Sequence, residues 1–479
     1  MQNTKSMKQD ARYRLEEYPA LYSMHLATVI YEGDMGILRI EDIIEATGGK
    51  IIHRDSNTFT GVSIDSRTIK EGELFVALKG KNFNGHDFLH DALKKASGAV
   101  VHNLIDKPIG DKTIIYVADT LKALQKIARH MRFKRDIPVI GITGSNGKTT
   151  TKEVISSILN ARYRVLKNTG NLNNNIGLPL SITRISDSDE VIALEMGASG
   201  PGEIKELCEI AVPEYGVLTN ISRAHLEGFG DIETIRKTKL ELLDYVKVAV
   251  VNADDAFMME GVQKSGFRGS VIRYGINSPA DIKATDIELR EKGSVFNLSL
   301  PQNKSAEINP RISGLFNIYN ILASAAIGYL FDINLTDIKN AVDSFTGVPM
   351  RLEIKEINDI RIISDMYNAN PASMEEAVKE LVRIKKGRVI AVLGDMLELG
   401  SYKEDAHKRL GRFMSELPID IFIAVGPLMA LAASEFKGSV YKFGTASDAG
   451  KLLKDIRKKG DTILIKGSRG MQMEKVLEA

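Results

Sequence analysis

The stretch that most constrains this chain is residues 137–159. A short apolar run, 137–142, leads into Gly141-Ile142-Thr143-Gly144-Ser145-Asn146-Gly147-Lys148-Thr149-Thr150, and Val154, Ile155, Ile158 and Leu159 then recur with helical spacing. A buried strand, a glycine-rich turn and a helix in direct succession call for a parallel sheet with that helix packed on it. In such a turn the glycines let backbone N–H groups approach phosphate oxygens closely, and the helix N-terminus adds partial positive charge. Lys148 would reach the β- and γ-phosphates of a bound nucleotide, and Thr149 would ligate Mg²⁺. Gly144, Ser145, Asn146, Gly147 and Thr150 complete the cradle. Isoleucine holds position 142, where the common G-x-x-x-x-G-K-[ST] spacing has glycine. The chain carries the tighter G-x-x-G-K-T, counted from Gly144.

The same alternation extends both ways. Ile40, Ile43 and Ile44 have helical spacing and are stopped by Gly48-Gly49; runs 74–78, 99–101 and 114–117 read as strands. Further strands are expected at 191–194, 215–218 and 248–251, and a second regime at 360–363, 389–393, 421–425 and 462–465. Strands alternating with helices predict α/β domains built on parallel sheets covered on both faces. With 479 residues, about three domains are expected. The boundaries are placed at 37–135, 136–347 and 348–479, with Val348-Pro349 as a hinge. Residues 1–36 are polar and weakly patterned and read as an extension with no assigned function.

Composition narrows the function classes. Sixty-four basic residues against 62 acidic ones leave a net charge of +2, without the basic excess of a dedicated nucleic-acid binder. One cysteine, Cys208, excludes an intramolecular disulfide framework and any multi-cysteine metal centre, and fits a reducing compartment. No run reaches the ~18 apolar residues of a membrane span, and the N-terminus lacks the sustained apolar stretch of a signal peptide. A cytoplasmic protein, acting as a monomer, is the expectation.

Several polar residues stand where open α/β sheets bind ligands, at the carboxyl ends of strands. Glu195 ends one strand, as a Mg²⁺ ligand or a plain surface carboxylate. His225 lies in a glycine-bearing loop after another, as a functional group or a local packing residue. Lys237 and Lys239, at a helix start, read as solvated lysines on composition alone. Asn171, Asn173 and Asn174 belong to an asparagine-dense loop, 168–177, suited to a substrate contact or to a turn. Asp365, Asn368 and Asn370 follow the first strand of the last domain. Lys466, Ser468 and Arg469 follow its last strand and suit a carboxylate or phosphate.

Taken in order and spacing, these motifs resemble the Mur ligase family over about residues 37–479. The most specific fragments are the asparagine loop with Ile176-Gly177-Leu178-Pro179-Leu180, Tyr367-Asn368-Ala369-Asn370-Pro371, Leu393-Gly394-Asp395-Met396-Leu397-Glu398-Leu399-Gly400, and Lys466-Gly467-Ser468-Arg469-Gly470-Met471. Ser63-Ile64-Asp65-Ser66-Arg67 and Gly85-His86-Asp87-Phe88 resemble the family's UDP-sugar-binding domain. The resemblance implies three domains: an N-terminal UDP-sugar-binding α/β domain, a central P-loop ATPase-like parallel-sheet domain and a C-terminal Rossmann-like α/β domain. It implies ATP-dependent, ADP-forming joining of D-alanyl-D-alanine to UDP-N-acetylmuramoyl-tripeptide through an acyl phosphate. It further implies Lys148, Lys239, His225 and Glu195 as catalytic residues, and two Mg²⁺ ions with Thr149, Glu195, His225 and a carbamylated Lys239 as ligands. Asn317, Asn320, Arg351 and Asp365 would contact ATP, and Ser66 and Arg67 the UDP-sugar.

Rival activities use parts of the same pattern. A related ligase would add a single amino acid or extend a folylpolyglutamate. A kinase or ATPase would share only the phosphate loop. A nucleotide-dependent binding protein would need no second metal site, which Lys148, Glu195, His225 and Lys239 together imply.

Overall fold

The computed structural model describes residues 36–80, 83–103 and 111–479. The reading of residues 1–35 as a weakly patterned extension lies outside them. Two compact units emerge. The first takes the described residues up to Gly141 with Tyr163–Gly197 and Glu203–Glu214. The second takes Ile142–Arg162, Ala198–Gly202 and Tyr215–Ala479.

In the first unit, the expected helix forms over Ile40–Thr47, and Gly48 ends it with φ 68°, a left-handed conformation that costs glycine nothing. Among the described residues a five-stranded sheet has strands Val62–Ser63, Leu74–Val76, Gly98–Val101 and Thr113–Tyr116 side by side and parallel, with Lys50–His53 antiparallel at one edge. Phe75, Ala77, Ala99 and Val101 pack on Leu89, Ala92 and Leu93 of the covering helix. The long helix Thr120–Phe133 starts at Asp119, whose carboxylate accepts from the Leu121 and Lys122 amides. Strands Val165–Lys167 and Val191–Glu195 pair in parallel in this unit.

In the second unit, Tyr215–Leu218, Val248–Asn252, Ser270–Gly275 and the start of Ile282–Leu289 are parallel neighbours. Ser294–Leu300 and Lys304–Ile308 then add antiparallel strands. The sequence reading expected parallel strands and assigned none over 270–308. Strands Ile282–Leu289 and Ser294–Leu300 intersperse buried with part-exposed side chains instead of presenting continuous apolar runs, because antiparallel strands at a sheet margin bury one face. The phosphate-loop helix Lys148–Leu159 packs against Leu315–Leu330, where Gly328 lets Ile158 approach.

The chain after Val348 forms a six-stranded sheet in the order Glu353–Ile357, Ile360–Asp365, Thr462–Lys466, Val389–Gly394, Ile421–Val425, Ser439–Phe443. Only the first of these strands is antiparallel to its neighbour. Ile363, Leu393, Ala424 and Leu464 fill one face and Ile362, Val392, Ile423 and Ile465 the other. Successive residues pointing to opposite buried faces explain why these strands read as unbroken apolar runs. Asp365 pairs in register with Lys466, so the carboxyl ends of these strands bring both residues to one edge. Among the described residues no helix is long and apolar enough to cross a membrane.

Candidate active site

The phosphate loop lies in the second unit and is held by a neighbouring loop rather than by its own sequence alone. Gly144 has φ 143°, and a Cβ there would sit 2.0 Å from the Thr219 hydroxyl. Gly147 has φ 83°, and a Cβ there would sit 2.3 Å from Asn320 Oδ1. Glycine is therefore required at both positions by backbone angle and by space. The Asn146 carbonyl accepts from Thr219 Oγ1 at 2.6 Å and from Asn220 Nδ2 at 3.0 Å. The Asn146 amide donates to Asn220 Oδ1 at 3.1 Å, and Ser145 Oγ accepts from the Ser222 amide while donating to its carbonyl. Lys148 Nζ donates to the Gly144 and Ser145 carbonyls at 2.8 and 3.2 Å. The ammonium thus lies along the loop, at the N-terminus of its helix. The sequence reading assigned no role to Thr219, Asn220 or Ser222; their position directly after a strand is the only signal it offered.

Asn317 and Asn320 are buried beside this loop. Asn320 donates to Asn317 Oδ1 at 3.1 Å and accepts from Thr151 Oγ1 at 3.3 Å. Tyr319, between them, donates to Asp254 at 2.8 Å. Asp254 also accepts from the amides of Ile276, Asn277 and Ser278. Burial would raise the Asp254 carboxyl, but the Asn277 and Ile276 amides outweigh it and hold it well below the usual carboxylate range.

The segment after Val348 reaches the same loop. Arg351 donates to Thr149 Oγ1 at 3.3 Å, and its guanidinium stacks 3.8 Å from the centre of the Tyr367 ring. Asn370 donates from Nδ2 to Asn146 Oδ1 at 2.7 Å, while its Oδ1 caps helix Pro371–Arg383 through the Ser373 amide. Lys466 is buried; its Nζ donates to Asp365 Oδ2 at 2.6 Å and to the Asn368 carbonyl at 2.9 Å. Burial pushes this ammonium below the ordinary lysine value, against the raising effect of Asp365. Ser468 Oγ accepts from the Leu397 amide, and Arg469 pairs with Glu474 at 3.1 Å. Asp365, Lys466 and Asn368 are thus joined directly, Arg351 and Asn370 reach the phosphate loop, and Arg469 is paired away to Glu474.

His225 has φ 53° and begins the short helix Leu226–Phe229. Its Nδ1 hydrogen-bonds the Glu398 carboxylate, and this bond holds Glu398 below the usual carboxylate range. Phe229 of the same helix lies under Lys239, whose Nζ is 5.4 Å from the ring centre and 3.3 Å from the Ala198 carbonyl. Lys239 is only 2% exposed, so the solvated reading of this lysine is overturned. Lys237, two residues earlier on the same helix Ile232–Leu240, is exposed, as its solvated reading expects.

In the first unit, Glu195 is 3% exposed, which overturns its reading as a surface glutamate. Its Oε1 accepts from Asn173 Nδ2 at 2.7 Å, and its backbone is clasped on both sides by the Asn168 side chain. Asn174 Oδ1 accepts from the Ile176 and Gly177 amides, at the start of helix Gly177–Ile182. Asn171 accepts from the Asn173 amide through its own carbonyl. Arg67 forms a two-point pair with Asp65, at 2.9 and 2.6 Å, and Ser66 is half-buried between them.

The family profile "Mur ligase family, catalytic domain" matches residues 58–132, "Mur ligase middle domain" residues 142–328, and "Mur ligase, glutamate ligase domain" residues 350–469. A Bacillus subtilis protein named UDP-N-acetylmuramoyl-tripeptide--D-alanyl-D-alanine ligase is 34% identical over 92% of this chain and 97% of its own. The chain belongs to the Mur ligase family. Among solved structures, MurF from Acinetobacter baumannii superposes with a TM-score of 0.86 at 30% identity, covering 93% of this chain and 99% of that one. MurF ligase from Thermotoga maritima, in complex with ADP, superposes at 0.77 and 31% identity, over 87% and 96% of the two chains.

In this Mur ligase the loop 393–400 depends on a histidine that the sequence reading passed over. His407 is fully buried; its Nδ1 donates to the Lys403 carbonyl at 2.6 Å and its Nε2 accepts from the Met396 amide at 3.0 Å. The bond from the Met396 amide requires a bare Nε2 and hence the neutral ring, and burial holds the pKa below the ordinary value of 6.5 against the raising effect of the Lys403 carbonyl. The unfolded ring therefore protonates first as pH falls. The stability from this site is complete above about pH 6.5, is lost progressively down to the folded value, and is constant below it. Thermal melts between pH 7 and 5 should show a smaller stability loss in His407→Gln than in the unsubstituted protein. Equal losses would contradict this role.

Proposed function

We infer that this chain joins D-alanyl-D-alanine to UDP-N-acetylmuramoyl-tripeptide with cleavage of ATP to ADP and phosphate, a step of peptidoglycan precursor synthesis. The observation that carries the reading is the phosphate loop braced by Thr219–Ser222 and met by Arg351 and Asn370, within a chain related over nearly its whole length to proteins named UDP-N-acetylmuramoyl-tripeptide--D-alanyl-D-alanine ligase. The reaction is cytoplasmic and carried out by the monomer. Residues 37–135 take the UDP-sugar, with Ser66 and Arg67 among its contacts; 136–347 take ATP; 348–479 complete the ligase.

The chemistry follows from charge. A carboxylate oxygen of the tripeptide attacks the γ-phosphorus, ADP leaves, and an acyl phosphate forms. The dipeptide amine then attacks the carbonyl carbon, loses a proton, and phosphate departs. The first step brings an anion to a polyanion. Lys148, released from the Gly144 and Ser145 carbonyls, and Arg351 supply positive charge, and the loop amides supply oriented dipoles. Asn317 and Asn320 meet the base, and Asp365 holds Lys466 beside the nucleotide. Asn171, Asn173, Asn174, Asn368, Asn370, Lys466, Ser468 and Arg469 are assigned to the peptide substrates. Excluding water from the acyl phosphate is the task of the segment after Val348.

Thr149, His225, Lys239 and Glu195 are the assigned magnesium ligands. The donor chemistry fits for a hydroxyl and a carboxylate, since magnesium prefers oxygen; His225 would add one neutral imidazole nitrogen, a weaker donor for this ion, beside those oxygens. A bare ammonium does not fit, whereas a carbamate on Lys239 does: its nitrogen retains one N–H for the Ala198 carbonyl, and the new carboxylate supplies oxygen ligands. Bound magnesium would neutralise charge developing on the transferred phosphoryl group.

Phosphate release from ATP should require both UDP-N-acetylmuramoyl-tripeptide and D-alanyl-D-alanine, and Lys148→Ala should lower it on the order of 10²–10³-fold. Release with single amino acids but not the dipeptide would favour the related ligases instead. Lys239→Ala should lose most activity and regain part of it with a small added carboxylate such as acetate or formate. Full activity without addition would rule out the carbamate.

A further inference from the structure

The run 393–400 is among the most specific sequence fragments, yet the reaction described above uses none of its residues. The structure gives one of them a definite partner. Glu398 touches the His225 turn twice: its carboxylate accepts from His225 Nδ1, and its backbone carbonyl accepts from the Glu227 amide at 3.0 Å. Both partners adopt left-handed backbone, His225 at φ 53° and Glu398 at φ 62°. Such conformations in non-glycine residues persist where the surroundings over-determine them. The approach is also close, since a Cβ at Gly400 would meet the Glu227 Cα at 3.3 Å.

The loop that offers Glu398 is itself anchored at neighbouring positions. The Met396 amide is tied to His407, the Leu397 amide to Ser468 Oγ, and the Ser468 amide to the Asp395 carbonyl. Arg223, two residues before His225, stacks over the Tyr402 ring at 5.6 Å. The Glu398 contact therefore belongs to a built junction between the last sheet and the His225 turn.

An ionised carboxylate can only accept hydrogen bonds. Its partner nitrogen on His225 must then carry the proton, and in the neutral ring the lone pair is left on Nε2. We propose that Glu398 is a positioning residue for His225: it reaches across from the last sheet, fixes the Nδ1–H tautomer and ring orientation, and so presents Nε2 as the ligating atom. This rests on the reading of His225 as a magnesium ligand. Carboxylate–histidine pairs of this kind set ligand orientation at metal sites, and losing the outer partner typically weakens metal binding about 10–100-fold. One consequence is that the His225 ring is set for ligation only while the 393–400 loop is docked on its turn.

The test uses the full chain labelled with ¹⁵N-histidine, its His225 signals assigned by their loss in His225→Asn. Long-range ¹H–¹⁵N correlation, without nucleotide or metal, should show a protonated Nδ1 and a bare Nε2. Glu398→Ala should shift the ring toward the Nε2–H tautomer, and Glu398→Gln, which can still accept through its amide oxygen, should shift it less. In parallel, the magnesium concentration giving half-maximal ADP binding should rise about 10–100-fold in Glu398→Ala, with ADP affinity at saturating magnesium preserved. An unchanged tautomer, or an unchanged magnesium requirement in Glu398→Ala, overturns the proposal. If His225→Ala raises that requirement and Glu398→Ala does not, the positioning role alone fails. If His225→Ala leaves it unchanged, the reading of His225 as a ligand fails with it.

Discussion

The Asn146 carbonyl, gripped by the Thr219 hydroxyl and the Asn220 amide, is the interaction on which the rest of the second unit depends. A phosphate loop that bonded its polar groups to one another could not also meet a ligand; here the Ser145 and Asn146 amides bond Asn220 of the neighbouring loop instead. Its shape must be imposed from outside. Here the loop after strand Tyr215–Leu218 imposes it, and the two left-handed glycines are the cost of that tight fit: each faces a polar side chain where a Cβ would stand. The same logic places Asn320, which fills the space beside Gly147 and links the loop to the helix carrying Asn317.

Around this fixed loop the segment after Val348 adds contacts from a different part of the fold. Arg351 and Asn370 address Thr149 and Asn146, and the buried Lys466–Asp365 pair stands at the strand ends behind them. A buried ion pair of this sort contributes little net stability after desolvation. Its effect here is to hold charge at a set place at the carboxyl ends of the strands. The ligase chemistry proposed for this chain needs that arrangement, because an acid and a triphosphate repel until their charges are matched.

Much of this was legible from residues. Strands buried on both faces gave continuous apolar runs at 389–393, 421–425 and 462–465, so their positions and the ligand-facing ends after them could be placed. The glycine-rich turn between strand and helix marked the phosphate loop for the same reason. The strands over 270–308 were not legible, since one-sided burial and a bulge between Thr285 and Glu288 break the pattern. Nor was the burial of Lys239 or Glu195, because burial of a charge depends on partners remote in sequence: Ala198 and Phe229 in one case, Asn168 and Asn173 in the other. His407 escaped notice because a neutral buried histidine between two backbone groups leaves no local trace.

The central claim is that the braced loop transfers the γ-phosphoryl group to a carboxylate before the amide bond forms. Labelling the terminal carboxylate of UDP-N-acetylmuramoyl-tripeptide with ¹⁸O and analysing the released phosphate by mass spectrometry tests it directly. Transfer through an acyl phosphate predicts one ¹⁸O atom in the phosphate for each amide bond made from fully labelled acid. Phosphate that carries no label, with the amide formed all the same, would contradict the account.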